Sequence, residues 1–209
     1  MPPFIYILTL KLIYLRLWEK LTLIEKKEEL RHKNDFYPTP KCLTWELLKT
    51  GELDDVHKVL EPCFEEGAIS NILKEAGFSV TERDLNQGND FLKDDYSNEH
   101  YDAVITNPPF DLWDKFVEKS KTIADKVILI GRTNYFGAHR RNINGLWEHL
   151  KCVSIFDRQI SYESEFREDG KVKCGALVTG WFVFDKEYND DPTIKILDMQ
   201  KYILNKNDD

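Results

Sequence analysis

The sequence predicts an α/β fold with a doubly wound, mostly parallel sheet. Short apolar runs typical of buried strands alternate with stretches of helical spacing. Gly77 stands where a helix over 68–76 should end, and glycine is a favoured residue just past a helix. Strands that alternate with helices favour parallel βαβ units with right-handed crossovers. The pattern predicts strands at 56–61, 78–81, 101–106 and 126–130, and helices at 40–49, 68–76 and 113–122.

The last third of the chain has a different pattern. Strands are predicted at 152–156 and 176–185, with a charged connection between them. This arrangement predicts an antiparallel closing hairpin on a mostly parallel sheet. The aromatic run 181–184 favours a core strand over a binding platform. Near the other end of the chain, Thr39 is a candidate cap for the helix over 40–49.

Composition limits the class of protein. A chain of 209 residues suits one domain, and 42% hydrophobic residues suffice for a real core. A net charge of −8 is unusual for a nucleic-acid binder, so such a role needs local clusters of basic residues. Four widely spaced cysteines form no CxxC pair, which predicts reduced thiols in a cytoplasmic protein and no metal site.

Residues 1–34 are predicted to be an N-terminal extension, helical in character, ahead of one domain over 35–209. The apolar stretch 4–18 is interrupted by Lys11 and Arg16, so it is too short and too charged for a membrane span. It also lacks the small-residue cleavage site of a signal peptide. We therefore expect no membrane partner.

The segment Asn107-Pro108-Pro109-Phe110 directly follows the predicted strand 101–106. Two prolines end the strand and stiffen the backbone. They would fix an amide, a proline carbonyl and an aromatic ring at the carboxyl end of a sheet strand, where open α/β sheets bind ligands. The alternative is a proline turn with Phe110 in the core.

The ends of the first two strands predict a binding site for a ligand with an amino group and no phosphates. Glu61 ends the first strand, and Gly67 precedes a helix whose backbone amides suit a polar ligand. The GxGxxG pattern and the lysine of a phosphate loop are both missing, and Glu61 would repel phosphate. Asp84 follows the second strand, where an acid binds ribose hydroxyls or is a solvated turn residue. Asp90 and Phe91 are candidates for contact with a purine.

Five short stretches of the sequence, taken in their order along the chain, resemble the class I S-adenosylmethionine-dependent methyltransferases. The resemblance is specifically to the N6-adenine DNA methyltransferases. The resemblance covers about residues 35–185. It implies a seven-stranded sheet with one antiparallel strand near its edge, and S-adenosylmethionine as cofactor. The compactness of the chain suggests an enzyme encoded by a phage or mobile element. The stretches are 36–40, 61–67, Asp84, Asp90-Phe91 and 107–110. Carried over to this chain, the cofactor-binding residues are Tyr37, Thr39, Pro40, Glu61, Gly67, Asp84, Asp90 and Phe91.

The resemblance also implies a mechanism for the catalytic residues Asn107, Pro108, Pro109 and Phe110. The Asn107 oxygen and the Pro108 carbonyl would accept hydrogen bonds from the adenine amine, while Phe110 stacks on the flipped base. The same residues could serve a base in RNA or a glutamine amide in a protein. The motif therefore specifies a planar amino group better than it specifies DNA.

Glu65 departs from the family pattern, which usually has glycine at this position. Glycine permits positive φ and close approach of the backbone. A glutamate would crowd the methionine end of the cofactor or bind its amino group. A non-catalytic relative that binds nucleic acid or a partner is the alternative function.

Nucleic-acid contacts are expected from the second half of the chain, where cations and aromatic rings are interleaved. Acids such as Glu163 and Glu165 lie among them, so an ordinary solvated surface is the alternative. The expected partner is DNA, and a monomer is favoured. The candidates are Arg132, Asn134, Tyr135, Arg140, Arg141, Arg158, Lys171 and Lys173.

Overall fold

The computed structural model describes residues 39–162, 172 and 174–203. Residues 1–34 lie outside this part of the chain, so the N-terminal extension stays a prediction. The strands are β1 (Lys58–Glu61), β2 (Ser79–Glu82), β3 (Tyr101–Thr106), β4 (Ala124–Arg132), β5 (Leu150–Phe156), β6 (Thr179–Asp185) and β7 (Thr193–Leu197). The α-helices are α1 (Lys41–Leu48), α2 (Ser70–Glu75), α3 (Trp113–Lys121) and α4 (His139–Ile143).

All seven strands form one sheet in the order β2-β1-β3-β4-β6-β5-β7. Neighbouring strands pair in parallel except at β6, which is antiparallel to both β4 and β5. This confirms the predicted α/β class and the antiparallel hairpin of β5 and β6. β7 was not predicted, although Ile194 and Ile196 alternate with polar residues as in a strand. Both isoleucines are exposed, and β7 joins the sheet through its pairing with β5.

Several elements begin or end elsewhere than predicted. β1 begins at Lys58 rather than 56, because the amides of His57 and Lys58 both donate to the Asp102 carboxylate at 2.8 Å. The expectation that Thr39 caps the first helix is wrong. Pro40 takes the cap position without a side-chain hydrogen bond, and the Thr39 hydroxyl accepts a hydrogen bond from Asn107 instead.

The core between the sheet and its helices is rich in aromatic side chains. Residues 181–184 of β6 are fully buried, which confirms that this run is a core strand. The Trp113 indole packs edge-on against Phe182 and donates to the carbonyl of Ile130 at 3.0 Å. This packing requires glycine at 131, since a Cβ there would lie 2.9 Å from both rings.

The sheet brings distant parts of the chain to one edge. β1, β2, β3, β4 and β5 all run in the same direction, so their carboxyl ends lie together. The antiparallel strand β6 begins at this edge, where Thr179 pairs with Arg132. No helix in the described part of the chain is long and apolar enough to cross a membrane.

Candidate active site

Asn107 follows the last residue of β3 and occupies an unusual hydrogen-bonding environment. Its Nδ2 donates to the Thr39 hydroxyl at 3.1 Å. Its Oδ1 is buried and has no hydrogen-bond partner among the described residues. Buried polar atoms are nearly always paired, so an unpaired one marks a candidate catalytic or binding atom. The amide therefore offers one acceptor to a ligand.

Phe110 lies at the centre of a small polar and aromatic cluster. Its half-buried ring meets the Tyr162 ring edge-on, with 6.4 Å between the centroids. The Arg132 guanidinium carbon lies 4.3 Å from the Phe110 centroid, within the range of a cation–π contact. The Tyr135 hydroxyl donates to the Phe110 carbonyl at 3.2 Å, and this bond fixes the backbone that follows the two prolines. Phe110 is thus held in place rather than packed into the core.

The loop after β1 is built around two residues with positive φ. Gly67 has φ +79°, and a Cβ there would lie 2.7 Å from Asn71 Nδ2. Glu65 has φ +49°, in the left-handed region that favours glycine. The departure from the family pattern therefore falls where the backbone has the conformation for which glycine is suited.

The carboxyl groups of Glu61, Glu65 and Asp84 lie in or next to this loop. Glu61 is 1% exposed, and its Oε2 lacks a partner in the described part of the chain. Burial, with the added repulsion of Glu65 and Glu82, raises the pKa of the Glu61 carboxyl well above its usual value. Burial and then the charges of Asp84 and Glu66 raise the pKa of Glu65 to about 7. Such a site favours a cationic ligand and disfavours phosphate.

Asp84 joins the loops that follow β1 and β2. Its carboxylate accepts hydrogen bonds from the amides of Glu65 at 2.9 Å and Asn86 at 2.7 Å. At 5% exposure it is not a solvated turn residue. Both of its oxygens already bind the protein, and a ribose would have to use their remaining lone pairs.

The structure places Asp90 and Phe91 differently from each other. Asp90 is partly exposed and pairs with Lys93 at 2.7 Å, so it stays accessible to a ligand. Phe91 is 3% exposed and packs on Phe116 at a centroid distance of 4.9 Å. Its ring is part of the core, so the described residues give it no free face for a purine.

Several of the predicted nucleic-acid residues lie near one another, while Arg158 has a partner elsewhere in the fold. The Arg141 guanidinium carbon is 4.3 Å from the Tyr135 ring centroid, and Tyr135 bonds the same Phe110 that Arg132 covers. Arg140 and Arg141 both pair with Asp114, and Arg158 binds Gln200. Of the predicted cations in the described ranges, Arg132 is the one that contacts the catalytic segment. Tyr135 is buried, Asn134 is exposed, and Tyr37, Lys171 and Lys173 lie outside the described residues.

Sequence reasoning missed Tyr162 and the role of Thr39. The Tyr162 hydroxyl is within 2.9 Å of the Thr179 hydroxyl, which fixes the ring that faces Phe110. Tyr162 lies beside a charged stretch with no strand or helix pattern, so no signal pointed to it. No group of three or more potential metal ligands occurs among the residues that the structure describes.

The described sheet and the edge that carries this site belong to the Rossmann-like fold of methyltransferases. The methyltransferase subunit of a type I restriction-modification system from Streptococcus thermophilus has a similar fold, with 12% identity and a TM-score of 0.52. The match covers 78% of this chain and 47% of that one, so this chain spans about half the length of that subunit. An S-adenosylmethionine-dependent methyltransferase from Agrobacterium tumefaciens matches at 15% identity and a TM-score of 0.45, over 71% of this chain and 62% of that one. No protein-family model and no curated protein matches the sequence.

Proposed function

We propose that this protein is a DNA adenine-N6 methyltransferase that uses S-adenosylmethionine. The observation that carries the proposal is the buried, unpaired Oδ1 of Asn107 at the carboxyl end of β3. An acceptor held in this way suits an amino group, which can donate a hydrogen bond to it. The methyltransferase fold and the adjacent Pro108 and Phe110 support the same chemistry.

The residues after β1 and β2 fit this cofactor. S-adenosylmethionine is a sulfonium that also carries an ammonium group, and the carboxyl groups of Glu61, Glu65 and Asp84 favour a cation. Gly67 lets the loop backbone lie close to the side chains of Asn71 and Phe64, where a Cβ would clash. Glu61 and Glu65 would hold the ammonium end, and Asp84 and Asp90 would bind the nucleoside. When bound, the cofactor supplies a methyl group on a positively charged sulfur.

The chain's own residues prepare the amine. The lone pair of an adenine amine is delocalised into the ring, which makes it a poor nucleophile. Hydrogen bonds to the Asn107 oxygen and the Pro108 carbonyl favour a more tetrahedral nitrogen and localise the lone pair. Phe110 stacks on the base and fixes its plane, so these residues act through alignment and electrostatics. A base in duplex DNA must first leave the stack, at a cost of a few kcal/mol.

The proposal is tested by methyl transfer from labelled S-adenosylmethionine to adenine-unmethylated plasmid DNA, to RNA and to a protein extract. Nuclease digestion and mass spectrometry should find N6-methyladenine in the DNA. Asn107→Ala should abolish transfer and leave cofactor affinity nearly unchanged. Asn98→Ala is the matched control, since this exposed asparagine precedes β3, at the opposite end of the strand from Asn107. Label in RNA or protein alone would refute the DNA assignment.

The second candidate is a non-catalytic relative that binds nucleic acid or a protein partner. The observation that favours it is Glu65, a glutamate with a left-handed backbone in the cofactor loop. Calorimetry with S-adenosylmethionine separates the two candidates. Binding without transfer to any substrate, or no binding at all, would support the second.

A further inference from the structure

Arg132 has an unpaired hydrogen-bond donor inside the candidate active site. It is the last residue of β4, and its guanidinium lies over the Phe110 ring. Its Nε is buried and has no hydrogen-bond partner in the described ranges of the chain. An arginine N–H can only donate, so burial without an acceptor is costly. We therefore expect a ligand that enters the site to supply a hydrogen-bond acceptor for the Arg132 Nε.

A backbone phosphate is a poor candidate for that acceptor. Phosphates of a bound strand stay at the protein surface, whereas this Nε is shielded from solvent. The arginines that do lie at the surface have protein partners, Asp114 for Arg140 and Gln200 for Arg158. Arg132 differs from both because the aromatic ring of the catalytic segment holds it.

The unpaired donor of Arg132 matches the unpaired acceptor of Asn107. Both belong to residues around Phe110, one in contact with its ring and one three positions earlier in the chain. Adenine presents the complementary pattern, because its amino group is flanked by acceptor nitrogens at N1 and N7. Asn107 would accept from the amine while a neighbouring cation donates to the ring.

We propose that Arg132 determines specificity for adenine by donating its Nε hydrogen to a ring nitrogen beside the amino group. This inference rests on the proposed function. The guanidinium lies over the centre of the Phe110 ring, so the base would lie beside it and overlap only the rest of that face. An N–H in the guanidinium plane reaches only atoms near that plane. A base without an acceptor next to its amine leaves the Arg132 donor unpaired and is rejected.

The test uses DNA in which single atoms of adenine are replaced. The same duplex is prepared with adenine, with 7-deazaadenine and with 1-deazaadenine at the methylated site. The two analogues distinguish N7 from N1. The unmodified protein should lose roughly tenfold or more in kcat/KM on one analogue. Arg132→Met should lose activity on adenine. Its kcat/KM should differ less than about twofold among the three substrates, because methionine has no donor that an analogue could leave unpaired.

Two further variants complete the experiment. Arg140→Met removes a more exposed arginine and should keep the discrimination of the unmodified protein. If Arg132→Met does not fold, Arg132→Leu replaces it, since leucine can also pack on the Phe110 ring and has no hydrogen-bond donor. Effects of the analogues on base pairing are common to all proteins and cancel in the comparison.

Each outcome is decisive. An Arg132 variant that keeps the preference for adenine, or an unmodified protein without a preference, overturns the inference about Arg132 alone. A different result is an equal loss of kcat/KM by Arg132→Met on all three substrates. If the salt dependence of its DNA binding also falls by about one phosphate contact, Arg132 contacts a phosphate instead. If the unmodified protein methylates no DNA, the proposed function fails and this inference fails with it.

Discussion

The Asn107 side-chain nitrogen donates to the Thr39 hydroxyl at 3.1 Å, across 68 positions of sequence. This bond holds the amide so that its oxygen is the free, buried atom. Thr39 is thereby a positioning residue for the candidate catalytic amide. The helix that follows it begins without a side-chain cap, so the hydroxyl is used at the site rather than for the helix.

The first prediction is that Thr39→Val lowers kcat by roughly fivefold, with KM for the cofactor nearly unchanged. Valine keeps the shape but removes the acceptor, and a lost hydrogen bond of this kind is worth about 1 kcal/mol. Thr39→Ser should restore the rate because it restores the hydroxyl. Steady-state kinetics of both variants check this. Equal losses in valine and serine variants would show that the methyl group, not the hydroxyl, matters.

A second prediction concerns Asp84. Asp84→Ala should weaken S-adenosylmethionine binding by roughly 1–3 kcal/mol, through lost ribose hydrogen bonds and release of the Glu65 amide. It should also lower the free energy of unfolding, since two backbone donors lose their acceptor. Calorimetry and chemical denaturation measure the two effects. Glu82→Gln is the control, because Glu82 pairs with Lys74. If Glu82→Gln weakens binding and Asp84→Ala does not, the ribose role passes to Glu82.

A third prediction uses Glu65→Gly, which should stabilise the free protein by about 1 kcal/mol because glycine accepts the left-handed conformation at no cost. The same change should weaken cofactor binding by about 1.5–3 kcal/mol if the carboxylate binds the ammonium group. Glu66→Gly controls for added backbone freedom, since φ at that residue is not positive. Tighter binding by Glu65→Gly would mean that the glutamate only crowds the loop.

The fourth prediction is a pH dependence. The pKa of Glu65 is raised from 4.5 to about 7, so in this window the folded protein keeps a proton that the unfolded chain has lost. The stability contribution of this group therefore falls as pH rises towards 7. A cationic ligand favours the carboxylate, so cofactor affinity should rise with pH through about 7. Calorimetric titrations at pH 6 and pH 8 should show this rise.

Glu65→Gln is the control for that measurement. The cofactor's own titration is common to the two proteins and cancels in the comparison. Because the charge of Glu65 also raises the pKa of Glu61, the difference reports Glu65 together with its effect on Glu61. Equal pH dependence in both proteins would argue against contact between Glu65 and the ammonium group.

The fifth prediction concerns the core beneath the site. Gly131→Ala should cost about 1–3 kcal/mol of stability, because its Cβ would overlap Trp113 and Phe182, both fully buried. Gly137→Ala is the matched control, since a Cβ there meets nothing within 4 Å. Denaturation of the two variants measures the difference. Similar stabilities would mean that the aromatic core can rearrange.

The sequence predicted the strands that are buried on both faces and the residues that follow them. β3 was predicted at its observed bounds, because its apolar run is stopped by two prolines. β7 was not predicted, although Ile194 and Ile196 alternate with polar residues. None of its residues is buried, and its place in the sheet is set by its pairing with β5. Whether such a segment forms a strand depends on its burial and on pairing with a strand distant in sequence. The periodicity of the sequence shows neither.

The same limit applies to the site. Asn107 and Asp84 follow strands, so their place at the carboxyl edge was predictable from the order of elements. The hydrogen bond to Thr39 and the stacking of Arg132 on Phe110 depend on side chains that meet only in the folded sheet. Phe91 shows the converse, since a position that resembles a ligand contact is occupied by a core ring.

The reversed direction of β6 decides where the connection between β5 and β6 lies. β5 ends at the catalytic edge and β6 begins there, so the connection over 157–178 leaves and returns on the substrate side of the sheet. Its described ends are anchored, since Ile160 pairs with Cys174 and the buried Tyr162 binds the Thr179 hydroxyl. Changes of sequence between these anchors would therefore leave the strands next to Asn107 and Arg132 as they are.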